Sequence, residues 1–292
     1  MRIMTFKEKL KNSKFIITSE IGPPKGISLD KILDEVRPLR SRVDAINVTD
    51  LQSSCLRMSS LAASIVLKRE GFEPILQMTC RDKNRLALQS EALSAAAFSI
   101  ENILALTGDH PSLGDHPESM PVYDLDVVQL IQALSMLSSG EDMNGHKLLG
   151  ASPRYCIGAV VNPGADPLEP EIIKMEKKVE AGAEFFQTQA VFDSRTFGNF
   201  LKNSKHIKTR ILAGIVPLKS EKMARYLNER VPGLLVPEDA VREIAGASDK
   251  RSKSIEMSVR LIKELECMCD GIHLMPIGWH DVLPAILDAI KR

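Results

Sequence analysis

The sequence lacks a net charge. Its 38 lysines and arginines are matched by 38 aspartates and glutamates, so no global field favours nucleic acid or an anionic membrane, and any partner must be recognised locally. It lacks a run of about 18 apolar residues, which excludes a membrane-spanning helix. The start, Met1-Arg2-Ile3-Met4-Thr5-Phe6-Lys7 leading into Lys9, Lys11 and Lys14, has no apolar segment of the signal-peptide kind, so a cytoplasmic protein is expected. The five cysteines, Cys55, Cys80, Cys156, Cys267 and Cys269, are odd in number and scattered, which argues against a disulfide scaffold and a zinc ribbon. Cys267-Met268-Cys269 is spaced too closely for a zinc knuckle, and no histidine falls in a His-x-His or His-Glu-x-x-His pattern, so no metal site is expected. No Gly-x-Gly-x-x-Gly follows the first strand pattern, which weakens a dinucleotide-binding doubly wound sheet.

What is present is a rhythm. Phe15-Ile16-Ile17-Thr18-Ser19-Glu20-Ile21 reads as a buried strand that stops at Gly22-Pro23-Pro24, which cannot continue a ladder. A helix to Leu39 follows, then strand 44–49 and helix 57–69, strand 74–79 and helix 83–98, and strand 102–107 with a long loop and helix 125–137. The second half repeats the alternation with strands 155–161, 184–189, 209–215 and 271–275. Its helices are 169–181, 194–202, 221–229, 237–244, 252–265 and 281–290. Eight short apolar strands separated by amphipathic helices predict a parallel sheet, and closure into a (β/α)8 barrel leaves no edge exposed, giving one α/β domain over 1–292. An open doubly wound sheet is the alternative. The connection 138–153 is longer than such units need and is expected to be functional or loosely ordered.

In a barrel of this kind the chemistry gathers at the C-terminal ends of the strands. The polar residues predicted there are Glu20, Thr49, Asp50, Gln77, Thr79, Thr107 to His110, Asn162, Gln189, Lys219 and His273. Two acids of separate origin, Glu20 and Asp109, with amides and hydroxyls around them fit proton transfer on a heterocycle or sugar. A dry carboxylate at a strand end is either satisfied by a partner or kept protonated as an acid. His110 beside Pro111 reads as a loop contact and His273 as a hydrogen-bonded core residue. The Lys177-Lys178 pair is either a solvated helix face or a counter-charge for a diphosphate.

Seven stretches carry a family resemblance: Ser19-Glu20-Ile21-Gly22-Pro23-Pro24, Asn47-Val48-Thr49, Met78-Thr79-Cys80, Leu106-Thr107-Gly108-Asp109-His110-Pro111, Lys177-Lys178-Val179-Glu180-Ala181-Gly182-Ala183, Phe186-Gln187-Thr188-Gln189-Ala190-Val191-Phe192-Asp193 and Ala213-Gly214-Ile215-Val216-Pro217. In that order, over nearly the whole chain, they resemble the methylenetetrahydrofolate reductases. The resemblance implies a flavin across the barrel mouth, normally FAD, and reduction of 5,10-methylenetetrahydrofolate to 5-methyltetrahydrofolate. It implies that Glu20 is the acid that protonates the folate N10, that Asp109 lies near flavin and pterin, and that Gln189 contacts the folate. Thr49, Gly108, Asp109, Tyr123, Lys177 and Lys178 match flavin contacts.

The sequence also departs from the family. Gln77 and Thr107, which would face the flavin, stand where members have a histidine and an arginine, and Trp279 replaces an arginine. Leu218-Lys219-Ser220-Glu221 stands where members with a nicotinamide donor carry an aromatic. These changes make FMN the alternative to FAD. They leave the electron source as NAD(P)H or a protein donor such as an iron–sulfur subunit, within an oligomer or hetero-complex. A flavin- and folate-binding subunit active only in a larger electron-transfer complex is the alternative function.

Overall fold

The computed structural model describes residues 4–231 and 233–291. Strands β1 (Ile16–Ile21), β2 (Ala45–Val48), β3 (Pro74–Thr79), β4 (Asn102–Leu106), β5 (Cys156–Val161), β6 (Phe185–Ala190), β7 (Arg210–Ile215) and β8 (Gly271–Leu274) pair in parallel in chain order. β8 returns to β1, Ile16 opposite Gly271, so the sheet is a closed barrel. Around it run α2 (Asp30–Val36), α3 (Ser60–Arg69), α4 (Arg85–Ala97), α5 (Val127–Ser138), α6 (Glu169–Ala181), α7 (Ser194–Ser204), α8 (Glu221–Arg230), α9 (Glu238–Gly246), α10 (Lys250–Leu265) and α11 (Leu283–Ala289). Among the described residues no helix is long and apolar enough to cross a membrane. All five cysteines are free.

Period-two alternation divides each strand between two environments. Outward residues such as Ile17, Leu76, Ile103, Ile157 and Ala213 join the helices in the larger core. Inward residues change character with height. At the bottom, Ile16, Ala45, Ile75, Leu104, Cys156, Phe185 and Leu212 form an apolar layer. The Phe185 ring takes the space above Gly158, where a Cβ would come within 2.2 Å of it.

One helix is absent from the sequence reading. The lysine-bearing start folds as α1 (Phe6–Asn12), opened by a capping box between Thr5 and Glu8. Phe6 and Leu10, one turn apart, enter the bottom of the barrel, and Phe6 meets Phe185 edge-on at 5.4 Å. Lys7 fastens the plug through Tyr155 O at 2.8 Å and Glu184 at 2.7 Å.

The connection 138–153 is ordered as a turn in which Asp142 accepts from the backbone of Asn144 and His146. It joins α5 to the start of β5, so it stands at the N-terminal face of the barrel, away from the mouth, and a role as a cover for the site is ruled out by topology.

Phe6→Ala is expected to destabilise the barrel by about 3–5 kcal/mol, because the ring is fully buried and its loss leaves a void under Phe185. Urea unfolding measures it; a loss below about 1 kcal/mol would mean that α1 is not a plug.

Candidate functional site at the barrel mouth

Above the apolar layer the barrel interior becomes polar. Thr18 from β1, Asn47 from β2, Gln187 from β6 and His273 from β8 are each at most 3 % exposed. Buried donors and acceptors of this kind must satisfy one another. Asn47 Nδ2 donates to Gln187 Oε1 at 2.6 Å, and Gln187 Nε2 donates to Asn47 Oδ1 at 3.1 Å and to Thr18 Oγ1 at 3.2 Å. Thr18 Oγ1 meets His273 Nδ1 at 2.9 Å. His273 Nε2 stands 3.6 Å from Glu20 Oε2, close enough for charge to be felt though longer than a hydrogen bond. The chain of contacts therefore ends at Glu20, the topmost inward residue of β1, which is buried and faces the mouth. His273 is thus the hydrogen-bonded core residue that its position predicts, and it is also the neighbour of the candidate acid.

Over this layer opens a cavity of about 530 Å³ with two unlike walls. One wall is apolar, from Val216, Leu227, Val231, Leu234, Met275 and Ile277. The other carries Thr49, Gln77, Thr79, Arg81, Thr107, Gly108 and Asp109, with Gln189 between them. Gln189 follows Phe185 and Gln187 on the inward face of β6 and lines the mouth, where β6 shifts register against β7. Thr49 Oγ1 is buried, lines the cavity and has no hydrogen-bond partner, the signature of a group that awaits a ligand atom. Gly108 has φ +88°, and a Cβ there would meet Thr79 and Arg81 at 3.1 Å, so only glycine lets this loop lie so close to β3. A smaller cleft of about 190 Å³ lies outside the barrel between α7 and α10 and shares only Val216 with this mouth.

The remaining predicted residues are placed differently. Asp109 is exposed on the β4 loop, where its Oδ2 accepts from Ser53 N at 3.1 Å. Tyr123 stands behind that loop, its hydroxyl donating to Gly108 O at 3.3 Å, and burial pushes its pKa up. His110 is exposed, its Nδ1 held by Ser112 in the loop contact expected of it. Lys177 is exposed on α6, and Lys178 is buried with its ammonium on Val160 O at 2.7 Å; neither lines the cavity. Asp50 accepts from both the backbone and the hydroxyl of Thr79 at 3.0 Å and faces Lys83 at 3.4 Å, which commits it to holding β2 against β3.

Several residues escaped the sequence reading. Thr18 and Gln187 could have been found as polar residues at inward positions of otherwise apolar strands. Arg81 gave no signal by spacing, yet it is 1 % exposed and lines the mouth.

A sequence profile of the family described as methylenetetrahydrofolate reductase matches residues 5–291. A probable methylenetetrahydrofolate reductase (NADPH) of Caenorhabditis elegans is 29 % identical over 177 residues, covering 60 % of this chain and 24 % of that protein. The chain thus spans about a quarter of that relative's length. A 5,10-methylenetetrahydrofolate reductase of Pectobacterium carotovorum is 24 % identical over 249 residues, 80 % of this chain and 78 % of the relative. Among solved structures, a Clostridium thermocellum protein described as binding two copies of 5-methyl-5,6,7,8-tetrahydrofolic acid superposes with a TM-score of 0.69. It is 18 % identical and 98 % of each chain is covered, a likeness of fold.

Burial holds the Lys178 pKa below its ordinary 10.5, with neighbouring Lys174 acting in the same direction and Glu171 against it. With the folded value below the unfolded one, the unfolded chain binds more protons between the two, so stability should rise with pH across that window. Lys178→Met should lack this rise, and the difference in urea stability should therefore shift towards the wild type as pH climbs to about 10.5. Parallel curves would show that the ammonium is not penalised by burial.

Proposed function

This chain belongs to the methylenetetrahydrofolate reductase family, and from that premise we propose that it reduces 5,10-methylenetetrahydrofolate to 5-methyltetrahydrofolate, with residues 1–292 acting as one catalytic domain. The observation that carries the proposal is Glu20: a buried carboxyl opening onto a mouth of heterocycle size, with His273 directly behind it.

The substrate's five-membered ring must open to an electrophilic iminium cation, which requires a proton on N10. Glu20 is the donor. Only 12 % of its side chain is exposed, and it faces the mouth, where a carboxylic acid can pass its proton to the substrate amine. The carboxylate left behind then faces His273. Thr18 Oγ1 accepts from Gln187 Nε2, donates to Ile272 O at 3.4 Å and meets His273 Nδ1 at 2.9 Å. With Nδ1 engaged by Thr18, the Nε2 edge of the imidazole is the one turned towards the Glu20 carboxylate. The polar layer thereby supports the acid after it has reacted. Asp109 adds negative charge at the rim, where it offsets the charge developing on the iminium. Gln189 offers a donor and an acceptor to the pterin or its amide tail, and the apolar wall excludes water from one face of a flat ring.

The residues suit a flavin as hydride source. Thr49 Oγ1 lacks a partner, Gly108 lines the mouth with its loop packed on β3, and Gln77, Thr107 and Asp109 present polar groups beside the apolar wall. When bound, the reduced flavin supplies the hydride that converts the iminium carbon to a methyl group. Tyr123 backs the loop that Gly108 and Asp109 occupy. Lys177 and Lys178 on α6 match flavin contacts of the family, and Lys178 would have to leave Val160 O to meet a phosphate. FAD is the cofactor on the family pattern and FMN the alternative, which extraction of the bound chromophore distinguishes. The electrons come from NAD(P)H or from a protein donor; anaerobic NADH bleaches the flavin in the first case only.

Glu20→Gln is expected to take up 5-methyltetrahydrofolate within about threefold of wild type while turnover of methylenetetrahydrofolate falls by about 10²- to 10⁴-fold, the usual contribution of a general acid. Calorimetry and steady-state assay check the two halves. Normal turnover by this variant would remove Glu20 from the chemistry.

A further inference from the structure

We propose that Arg81 is the positioning residue of this mouth: its guanidinium pins the rim segment 51–55 to the rim segment 108–115 and so fixes where the Asp109 carboxylate stands. The inference rests on the reading of Asp109 as a substrate-facing acid, and it names the group that holds that acid in place.

Arg81 lies just past Cys80 at the end of β3 and leads the largest fully buried side chains of the described residues. Its hydrogen bonds go to two different loops. Nη1 donates to Asp109 O at 3.1 Å, Nη2 donates to Leu51 O at 3.4 Å, and Nε and Nη2 hold Asp82 at 2.7 to 3.0 Å. Burial works against the charge, but the Asp82 carboxylate and the fields of Asp50 and Tyr123 outweigh it, so the guanidinium stays ionised. Lysine cannot copy this arrangement. An ammonium is a point donor, whereas the planar fork serves a carboxylate and two carbonyls at fixed angles.

What the fork holds together is strained on one side and tightly packed on the other. Leu51, Ser53 and Ser54 have φ of 45°, 56° and 55° without being glycine, a conformation that persists only when its surroundings enforce it. Besides bonds of the turn itself, such as Cys55 N to Gln52 O at 3.3 Å, contacts come from the opposite loop and from Arg81. Ser53 N donates to the Asp109 carboxylate at 3.1 Å and Leu56 N to Asp115 at 2.9 Å. Gly114 lies so close that a Cβ would sit 1.8 Å from Ser54 O. Gly108 rests on the Arg81 Cβ itself. Asp109 is therefore fastened at both ends, its carbonyl by Arg81 and its carboxylate by a turn that Arg81 also holds. If the arginine is lost, the turn relaxes and the acid has no fixed place.

The full-length wild type, Arg81→Lys, Arg81→Met, Asp109→Asn and the Arg81→Lys/Asp109→Asn double variant test this by two independent readouts. The first is amide exchange of the ligand-free protein. Arg81→Lys should speed exchange at Ser53 and Leu56 by about tenfold or more and leave the eight strands unchanged. The second is calorimetric affinity for 5-methyltetrahydrofolate. Arg81→Lys should weaken it about tenfold and Arg81→Met about a hundredfold, while in the Asp109→Asn background Arg81→Lys should change it by less than twofold, because groups acting through one another are not additive. Unaltered exchange at the two rim amides, uniform acceleration through the whole barrel, or additive losses of affinity would each overturn the proposal. Should Arg81→Met fail to fold, the lysine variant carries the decision. Should the wild type bind no 5-methyltetrahydrofolate, the functional reading of the mouth fails, and the exchange pattern still decides whether Arg81 holds the two loops.

Discussion

An amide buried inside a closed barrel has nowhere to place its hydrogens except on another side chain of the same layer. Gln187 and Asn47, on strands far apart in sequence, meet that condition by exchanging two hydrogen bonds across the barrel axis. The spare donor of Gln187 then fixes Thr18, Thr18 fixes one nitrogen of His273, and the other nitrogen is left to face Glu20. Each contact removes freedom from the next. Satisfaction of buried polar groups, which contributes modestly to stability when complete and costs heavily when broken, here sets the orientation of an acid at the far end of the chain of contacts.

This arrangement requires that the layer below be filled and dry. Water entering from the N-terminal face would give Gln187 and Asn47 other partners and dissolve the order above them. Phe6 and Leu10 close that face against the apolar layer, and Phe185 serves both elements, lying edge-on to Phe6 below and filling the space at Gly158 above. The barrel is thus graded from an apolar floor through a polar, mutually satisfied middle to an open mouth with one apolar and one polar wall. The gradation follows from which residues occupy successive inward positions, Ile16, Thr18 and Glu20 on β1 being the simplest instance.

Much of this was legible in the sequence because parallel strands are short, apolar and separated by helices of regular length. β3 runs over the same residues, Pro74–Thr79, that the pattern predicts, and most other strands differ from expectation by a residue at an end. Helix starts were less legible, since caps outrank periodicity. Ser59 accepts from Ala62 N and Asn84 from Ala87 N, so α3 and α4 begin at Ser60 and Arg85 and not at the preceding basic residues. The helix drawn to Leu39 stops at Val36, because Pro38 has no N–H to continue the i→i−4 ladder, and a 3₁₀ turn over Arg37–Leu39 follows. α1 was missed because seven residues with three lysines read as charge, although Phe6 and Leu10 four apart were the visible sign of a buried face. Arg81 was not legible at all: its role depends on two loops that come together only when the barrel closes.

The two acids of the mouth differ in how they are held, and the difference suits different tasks. Glu20 belongs to a strand with a neighbour on either side, so its backbone moves only if the barrel does, and its environment is set by a chain of mutually bonded side chains in the barrel interior. A proton donor needs this, because its readiness to give up the proton depends on a fixed and partly dry surrounding. Asp109 belongs to a loop, is exposed, and spends its carboxylate on the backbone of another loop. An incoming cation can compete for that carboxylate at the expense of a single hydrogen bond, while the Arg81 contact to the Asp109 carbonyl stays in place. The acid that must be constant is thus built into the sheet, and the acid that must respond to charge arriving in the mouth is built onto a loop whose carboxylate contact can be exchanged while its carbonyl contact holds.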